Sequence, residues 1–231
     1  MSFFNRSNRE GHGRPLPEIG AGRAVTLFFT YFWQLVWANM LFVLFSLPVI
    51  TMPAALCALN RVCILIYRNG HCFLWTDFWK EFRSSFLRSL LPGLLFGVLL
   101  FVGYFFMSLA AANAHFPVWC LIFWFVGILA AVAGACWGAY FFALVPLLDA
   151  KNPVVLKNAY LLCFLRPGSA LLVLGTLLGM CFVAMVLMPI FIVALLLFWF
   201  VLMQYIICYL VNDVAEDYIL RPFAEQQKNN I

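Results

Sequence analysis

Four polar side chains interrupt the apolar segments of the chain and are the first candidates for chemistry: Asn39, Asn60, Arg61 and Gln204. A proline-containing turn near residue 50 brings the first three to a similar depth. Such groups are functional suspects inside a bilayer, but they also form interhelical hydrogen bonds worth about 0.6 kcal/mol each. No carboxylate in these segments can pair with Arg61. The sequence therefore favours hydrogen bonding between helices, with Arg61 reaching the headgroups, over a polar path for a solute or proton.

A second candidate is an amphipathic stretch at about 75–90. Its aromatic residues recur at helical spacing from Trp75 through Trp79 and Phe82, while charged residues such as Arg83 take the opposite face and Asp77 lies in the first turn. This pattern is typical of a helix lying at a membrane surface. Such a helix either anchors the bundle or docks a soluble partner, and the sequence favours anchoring.

The remaining reactive side chains form no recognisable catalytic or metal-binding motif. The eight cysteines contain no C-x-x-C pair and mostly occupy apolar surroundings, where small polarisable filler is the usual role. His12, His71 and His115 lack ligand spacing, and hydrolase, metalloprotease and P-loop signatures are absent from the sequence. We therefore expect no enzyme activity, no metal, no cofactor and no nucleic-acid partner.

Composition predicts the environment that these residues share. Of the 231 residues, 66% are apolar and only 10% are charged, whereas soluble domains carry about 25% charged residues. Unbroken apolar runs of about twenty residues match the length of a helix that crosses a bilayer, while a barrel would show alternating strands of about ten residues. The sequence predicts an all-α polytopic transmembrane helical bundle with the lipid bilayer as its main partner.

The apolar runs give about six spans. They are predicted at about 24–47, 52–67, 91–112, 118–148, 169–187 and 190–211, with two short cytoplasmic interfacial helices at about 75–90 and 153–165. The transmembrane domain is thus 24–211, between a cytoplasmic N-terminal tail over 1–23 and a cytoplasmic C-terminal tail over 212–231. The first run exceeds the h-region of a signal peptide, so we expect an uncleaved span.

The distribution of basic residues predicts the orientation. Threading six spans in alternation places all fourteen lysines and arginines on one side, with Arg61 snorkelling toward that side. Cytoplasmic loops collect such residues. We expect a multi-pass protein of the plasma membrane with both termini in the cytoplasm.

Two further patterns concern packing between spans. Three Gly-x-x-x-Gly pairs, at Gly93, Gly134 and Gly175, predict close approach within the bundle rather than a dedicated dimer interface, and the oligomeric state stays open. Pro92-Gly93 and Pro167-Gly168 each follow a charged short helix. This echo is consistent either with a parallel internal repeat or with compositional coincidence.

The segment from Trp37 to Ser89 resembles the YesL family of bacterial membrane proteins. The resemblance rests on Ser46-Leu47-Pro48, Thr51, Arg68 and the DFW-x-x-F block that begins at Asp77, with a second similar stretch from Phe141 to about Leu172. Relatives tend to carry asparagine where Ser85 stands here. The resemblance implies a context rather than a mechanism, because such proteins tend to be encoded beside carbohydrate-uptake systems of Gram-positive bacteria.

Two functions therefore remain open at this level. The first is a non-enzymatic accessory protein or subunit that works with components of a sugar transport system. The alternative is a stand-alone small-molecule transporter or channel, which would need a water-accessible polar path. A membrane enzyme would need clustered catalytic side chains, which the sequence does not display.

Overall fold

The computed structural model describes residues 20–112, 117–148, 150–186 and 195–220, and within these ranges the chain is helical and has no strand. Eight α-helices follow in order: α1 Ala21–Thr30, α2 Phe32–Ser46, α3 Met52–Asn69, α4 Leu74–Ala112, α5 Pro117–Leu144, α6 Asn152–Leu165, α7 Pro167–Val186 and α8 Phe200–Ala215. A 3-10 turn, Val49–Thr51, precedes α3, and π-helical turns, Leu195–Trp199 and Glu216–Leu220, flank α8. Among the described residues, five helical segments are long and apolar enough to cross a membrane, or six if α1 and α2 count as one span. The predicted all-α polytopic bundle is confirmed.

Several predictions fall outside the described residues. They are the N-terminal tail up to residue 19, the link at 113–116 with His115, Asp149, the turn near 188 with the start of the last span, and the C-terminal tail beyond residue 220.

The first predicted span, 24–47, is corrected by a break at Tyr31. Helices α1 and α2 meet there at 79°, and Tyr31 itself has non-helical dihedral angles. The break has a tertiary cause, since neither proline nor glycine lies near it. The Tyr205 hydroxyl donates to the Ala24 carbonyl at 2.9 Å and the Phe28 ring packs on the Tyr205 ring, which holds α1 against α8.

The second correction concerns α4, which is one helix of 39 residues where the sequence predicted an interfacial helix at 75–90 and a separate span at 91–112. Pro92 lies inside it without ending it. A proline leaves the carbonyl four residues earlier without its helical partner, in this case the carbonyl of Arg88. The side-chain nitrogen of Asn152, Nδ2, donates a hydrogen bond to that carbonyl at 2.6 Å. The helix continues because another segment supplies the missing donor.

The two halves of α4 pack against different helices. Its first half runs antiparallel to α3: Cys72, just after α3, lies 3.4 Å from the Asp77 carboxylate, and at the other end the Pro53 ring packs on Gly93. The second half packs on α5 through Phe96 against Trp137 and, further along, Gly103 against Ala131. Hence the turn between α2 and α3 ends near the middle of α4.

The later boundaries also shift. The fourth span, predicted at 118–148, ends as a helix at Leu144, because residues 145–147 form a turn containing Pro146. The C-terminal tail, predicted from 212, begins later, since α8 continues to Ala215 and Val214 and Ala215 are fully buried. Helices α6 and α7 stand at Asn152–Leu165 and Pro167–Val186, where short and spanning helices were predicted at 153–165 and 169–187.

The two Pro-Gly steps behave differently. Pro92 lies within α4, whereas Pro167 starts α7 after a non-helical Arg166 with φ −131° and ψ 74°. The echo between the two charged zones is therefore not matched by equivalent helix geometry.

Candidate functional site

The first of the predicted polar residues, Asn60, is fully buried on α3 and is bonded to the end of α5. Its amide nitrogen donates to the Phe142 carbonyl at 2.9 Å. The helical partner of that carbonyl would be the backbone N–H of residue 146, but Pro146 has none. Asn60 thus satisfies a carbonyl orphaned by a proline, as Asn152 does for Arg88. Its Oδ1 also lies 3.2 Å from the Cys208 thiol on α8.

Asn39 also bonds a backbone group, but it accepts the hydrogen bond where Asn60 donates one. It is fully buried on α2, and its Oδ1 accepts a hydrogen bond from the backbone N–H of Val201 at 2.9 Å. Val201 is the second residue after the π-helical turn Leu195–Trp199, where the backbone hydrogen-bond register changes. The asparagine side chain supplies the acceptor at this change of register.

Arg61 and Gln204 complete the predicted set without joining the other two in one cavity. The Arg61 guanidinium donates to the Pro146 carbonyl at 2.7 Å, which ties α3 a second time to the turn after α5. Gln204 is buried on α8, 4% exposed, three residues beyond Val201. Asn39, Asn60 and Arg61 each bond a different backbone atom. The asparagines form the interhelical hydrogen bonds that the sequence favoured, whereas Arg61, expected to reach the headgroups, bonds the Pro146 carbonyl instead.

The second predicted site divides into a buried and an exposed part. Phe82 is 8% exposed and its ring packs 5.1 Å from the Phe45 ring, so it belongs to the core. Asp77 bonds its own helix terminus, since its carboxylate accepts from the Phe73 backbone N–H at 2.9 Å, in the manner of a capping box. Phe82 is thus part of the core, and the half-buried Asp77 has a structural bond at the start of α4.

The exposed part consists of Trp75 and Arg83, together with Trp79, which is partly buried and packs against the core. Trp75 is 62% exposed and stacks on Trp79 with centroids 6.2 Å apart and planes 7° apart. The Arg83 guanidinium lies over the Trp79 ring at 4.7 Å. Stacked indoles beneath a guanidinium form a rigid surface that is both apolar and cationic, which suits either headgroups or a protein partner.

Cys72 lies beside this surface, and its reactivity provides a test of the cap geometry. Burial, and then the negative charge of Asp77, hold the pKa of the Cys72 thiol well above its usual range. We expect Asp77→Asn to lower that pKa, so that maleimide modifies Cys72 at lower pH and several-fold faster near neutrality. Peptide mass spectrometry of the labelled protein measures this, with Asp77→Glu as the charge-retaining control. Equal rates in the two variants would show that the Asp77 charge does not act on the thiol.

One polar cluster was not anticipated from the sequence. Arg23 donates to the Arg68 carbonyl at 2.6 Å, and Arg68 pairs with Glu216 at 3.1 Å. With Tyr67 and Asn212 they surround a cavity of about 70 Å³. The sequence prediction had placed Arg23 and Glu216 in the cytoplasmic tails and therefore did not bring them together. The one sequence feature that could have indicated this cluster is the position of its charged residues near helix ends. The cluster ties together the ends of α1, α3 and α8.

Over the described ranges, no group of three or more His, Cys, Asp or Glu side chains could hold a metal ion. The buried thiols of Cys57, Cys63 and Cys208 are free and surrounded mainly by apolar side chains.

Comparison with known proteins gives one match. A family model described as "Protein of unknown function, DUF624" matches residues 35–106, which is 72 of the 231 residues. The matched segment runs from α2 through α3 into the second half of α4. No curated protein and no solved structure matches the chain.

Proposed function

We propose that this chain is a non-enzymatic polytopic membrane protein that acts as an accessory protein or subunit of a carbohydrate-uptake system in a Gram-positive bacterium. The carbohydrate context comes from the resemblance to the YesL family. The DUF624 match covers the first of the two stretches that carry that resemblance, Trp37 to Ser89. In this proposal the protein lies in the plasma membrane with both termini in the cytoplasm, as its basic residues favour.

One observation carries the proposal: the polar groups within the apolar helices are bonded to backbone atoms. Asn39, Asn60 and Arg61 each hold a peptide group of another segment. A carrier or channel needs polar groups that face a water-accessible path. Groups that stabilise helix ends favour a scaffold over a stand-alone transporter.

The surface we propose for a partner is the exposed aromatic-basic surface, defined as Trp75, Trp79 and Arg83. It lies on the charged half of α4. The whole helix is too long to fit within the bilayer core, because its 39 residues span about 58 Å, against about 30 Å of hydrocarbon. Buried tryptophan and arginine dominate the energetics of most protein interfaces.

We expect Trp75→Ala to weaken retention of the transporter components by roughly 30-fold, the effect of losing an interface contact of about 2 kcal/mol. The measurement is affinity purification of the full chain from native membranes in mild detergent, with quantitative mass spectrometry of sugar-transporter components. The matched control is Trp119→Ala, which removes an equally exposed tryptophan, 59% against 62%, from α5. It should leave retention unchanged.

Three outcomes contradict the proposal. If purified protein alone moves a defined sugar across liposomes, the transporter alternative replaces it. If wild-type protein retains no transporter component, or if both tryptophan variants lose partners equally, the assigned role or the assigned surface is wrong.

A further inference from the structure

The outward face of α2 is an apolar stripe, defined by Trp33, Trp37, Met40, Leu44 and Leu47. These side chains are between 43% and 74% exposed. Their spacing of three to four residues places them on one side of the helix. The opposite side is buried, with Leu35, Ala38, Asn39 and Phe42 at 0 or 1% exposure. The stripe therefore requires an apolar environment that the described helices do not supply.

The direction of α2 follows from its neighbours. Helix α1 lies alongside α3 and α8, with Arg23 at the end of α3 and Phe28 on Tyr205. After the 79° bend, α2 must therefore run steeply across those helices. Its contacts agree, because Phe42 packs on Phe200 at the start of α8, whereas Phe45 packs on α4.

The depth of the α2–α3 turn follows from α4. Pro53, at the start of α3, packs on Gly93. The 19 residues from Gly93 to Ala112 measure about 29 Å as a helix, which is already about one hydrocarbon thickness. No charged residue occurs between Arg88 and Ala112, whereas Asp77 to Arg88 contains five. The turn thus lies where the charged half of α4 meets its apolar half.

We infer that α2 lies flat in the bilayer leaflet beside the charged half of α4, with its apolar stripe in lipid, and that the α2–α3 hairpin enters this leaflet without crossing. The occupant of the stripe is lipid, because the stripe has no charge, carries two tryptophans of the kind enriched at membrane interfaces and lies at the depth where α4 changes from charged to apolar. Helix α3, 18 residues long and apolar enough to span by length, is then a buried core helix of the bundle. The burial of α3 agrees with a core position, because 56% of its most apolar stretch is buried, against 11% for α5.

The test measures the depth of nitroxide labels along α2 in vesicles of phosphatidylethanolamine and phosphatidylglycerol. Full-length protein with its native cysteines replaced by alanine, and with thermal unfolding matched to wild type, carries one label at Trp33→Cys, Met40→Cys or Leu47→Cys. If α2 lies flat, depths from oxygen and nickel-chelate accessibility agree within about 5 Å. A spanning α2 changes depth by about 21 Å over these 14 residues, which would overturn the inference. Labels on α5 at Val118→Cys and Leu129→Cys, both exposed, are the matched control and should differ by about 16 Å.

A second measurement addresses the hairpin itself. Ile50→Cys, at an exposed position in the turn, should resist a membrane-impermeant maleimide from the side that labels Ala112→Cys at the far end of α4. Equal labelling of both positions from that side would show that the hairpin crosses. The labels on α2 would instead be protected by a second copy of the chain if their accessibility did not depend on the lipid but rose when the protein was diluted in the vesicles. That result would overturn the lipid assignment. None of these readouts depends on a carbohydrate partner.

Discussion

Gly103→Ala is expected to destabilise the bundle by about 3 kcal/mol, because it separates α4 from α5 at their closest crossing. A Cβ added at Gly103 would lie 2.9 Å from the Ala131 backbone nitrogen and 3.0 Å from the Gly127 carbonyl oxygen. Both are backbone atoms of a helix, so neither can move aside alone, and overpacking of this kind costs 1–3 kcal/mol or more. The free energy of unfolding in detergent, from denaturant titration followed by circular dichroism, measures the change.

The matched control is Gly97→Ala on the same helix. A Cβ at Gly97 meets nothing within 4 Å, so we expect no loss of stability, and the helix propensity of alanine adds up to about 1 kcal/mol. Similar losses in both variants would show that the cost at Gly103 does not come from the crossing. The pair also distinguishes the observed contact from the Gly-x-x-x-Gly prediction, because Gly97 belongs to such a pair and Gly103 does not.

Asn60→Leu is expected to cost about 2–3 kcal/mol, since it leaves the buried Phe142 carbonyl without a donor. The structure predicts a specific rescue. Pro146→Ala restores a backbone N–H four residues after Phe142, which can extend α5 by one helical hydrogen bond. In the Asn60→Leu background this second substitution should recover at least about 1 kcal/mol.

A double-mutant cycle in the same unfolding assay measures the coupling between positions 60 and 146. Additive effects would show that Asn60 does not act on the orphaned carbonyl. Cys208→Ala serves as the control, because it removes another contact of Asn60, at 3.2 Å, without orphaning the Phe142 carbonyl. Its effect should be smaller and should be independent of Pro146→Ala.

The class of the protein could be read from the sequence because hydrocarbon imposes a local rule. Every peptide group in a bilayer needs a partner within the protein, so twenty apolar residues in a row predict a helix whatever its neighbours are. Helices α3 and α6 also lie close to their predicted positions. Local spacing placed Arg83 on the face opposite the aromatic residues, but its guanidinium lies over the Trp79 ring, and Phe82, on the predicted aromatic face, packs into the core.

The sequence was less informative about where helices end. Pro92 predicts a break in α4 that does not occur. The break at Tyr31 does occur, although no proline or glycine near it predicts one. In both cases the outcome depends on a residue remote in the chain. Asn152 supplies the donor that lets α4 continue, and Tyr205 holds α1 at its angle to α2.

The polar residues illustrate the same division. The sequence alone determined that Asn39, Asn60 and Arg61 lie in apolar segments, and it favoured interhelical hydrogen bonds for the asparagines and the headgroups for Arg61, because an unpaired polar group in hydrocarbon costs several kcal/mol. Only the tertiary structure decided what they bond to, since the orphaned backbone groups arise from Pro146 and from a π-helical turn in other helices. Hydrophobic length is a property of one segment, whereas hydrogen-bond partnership is a property of two.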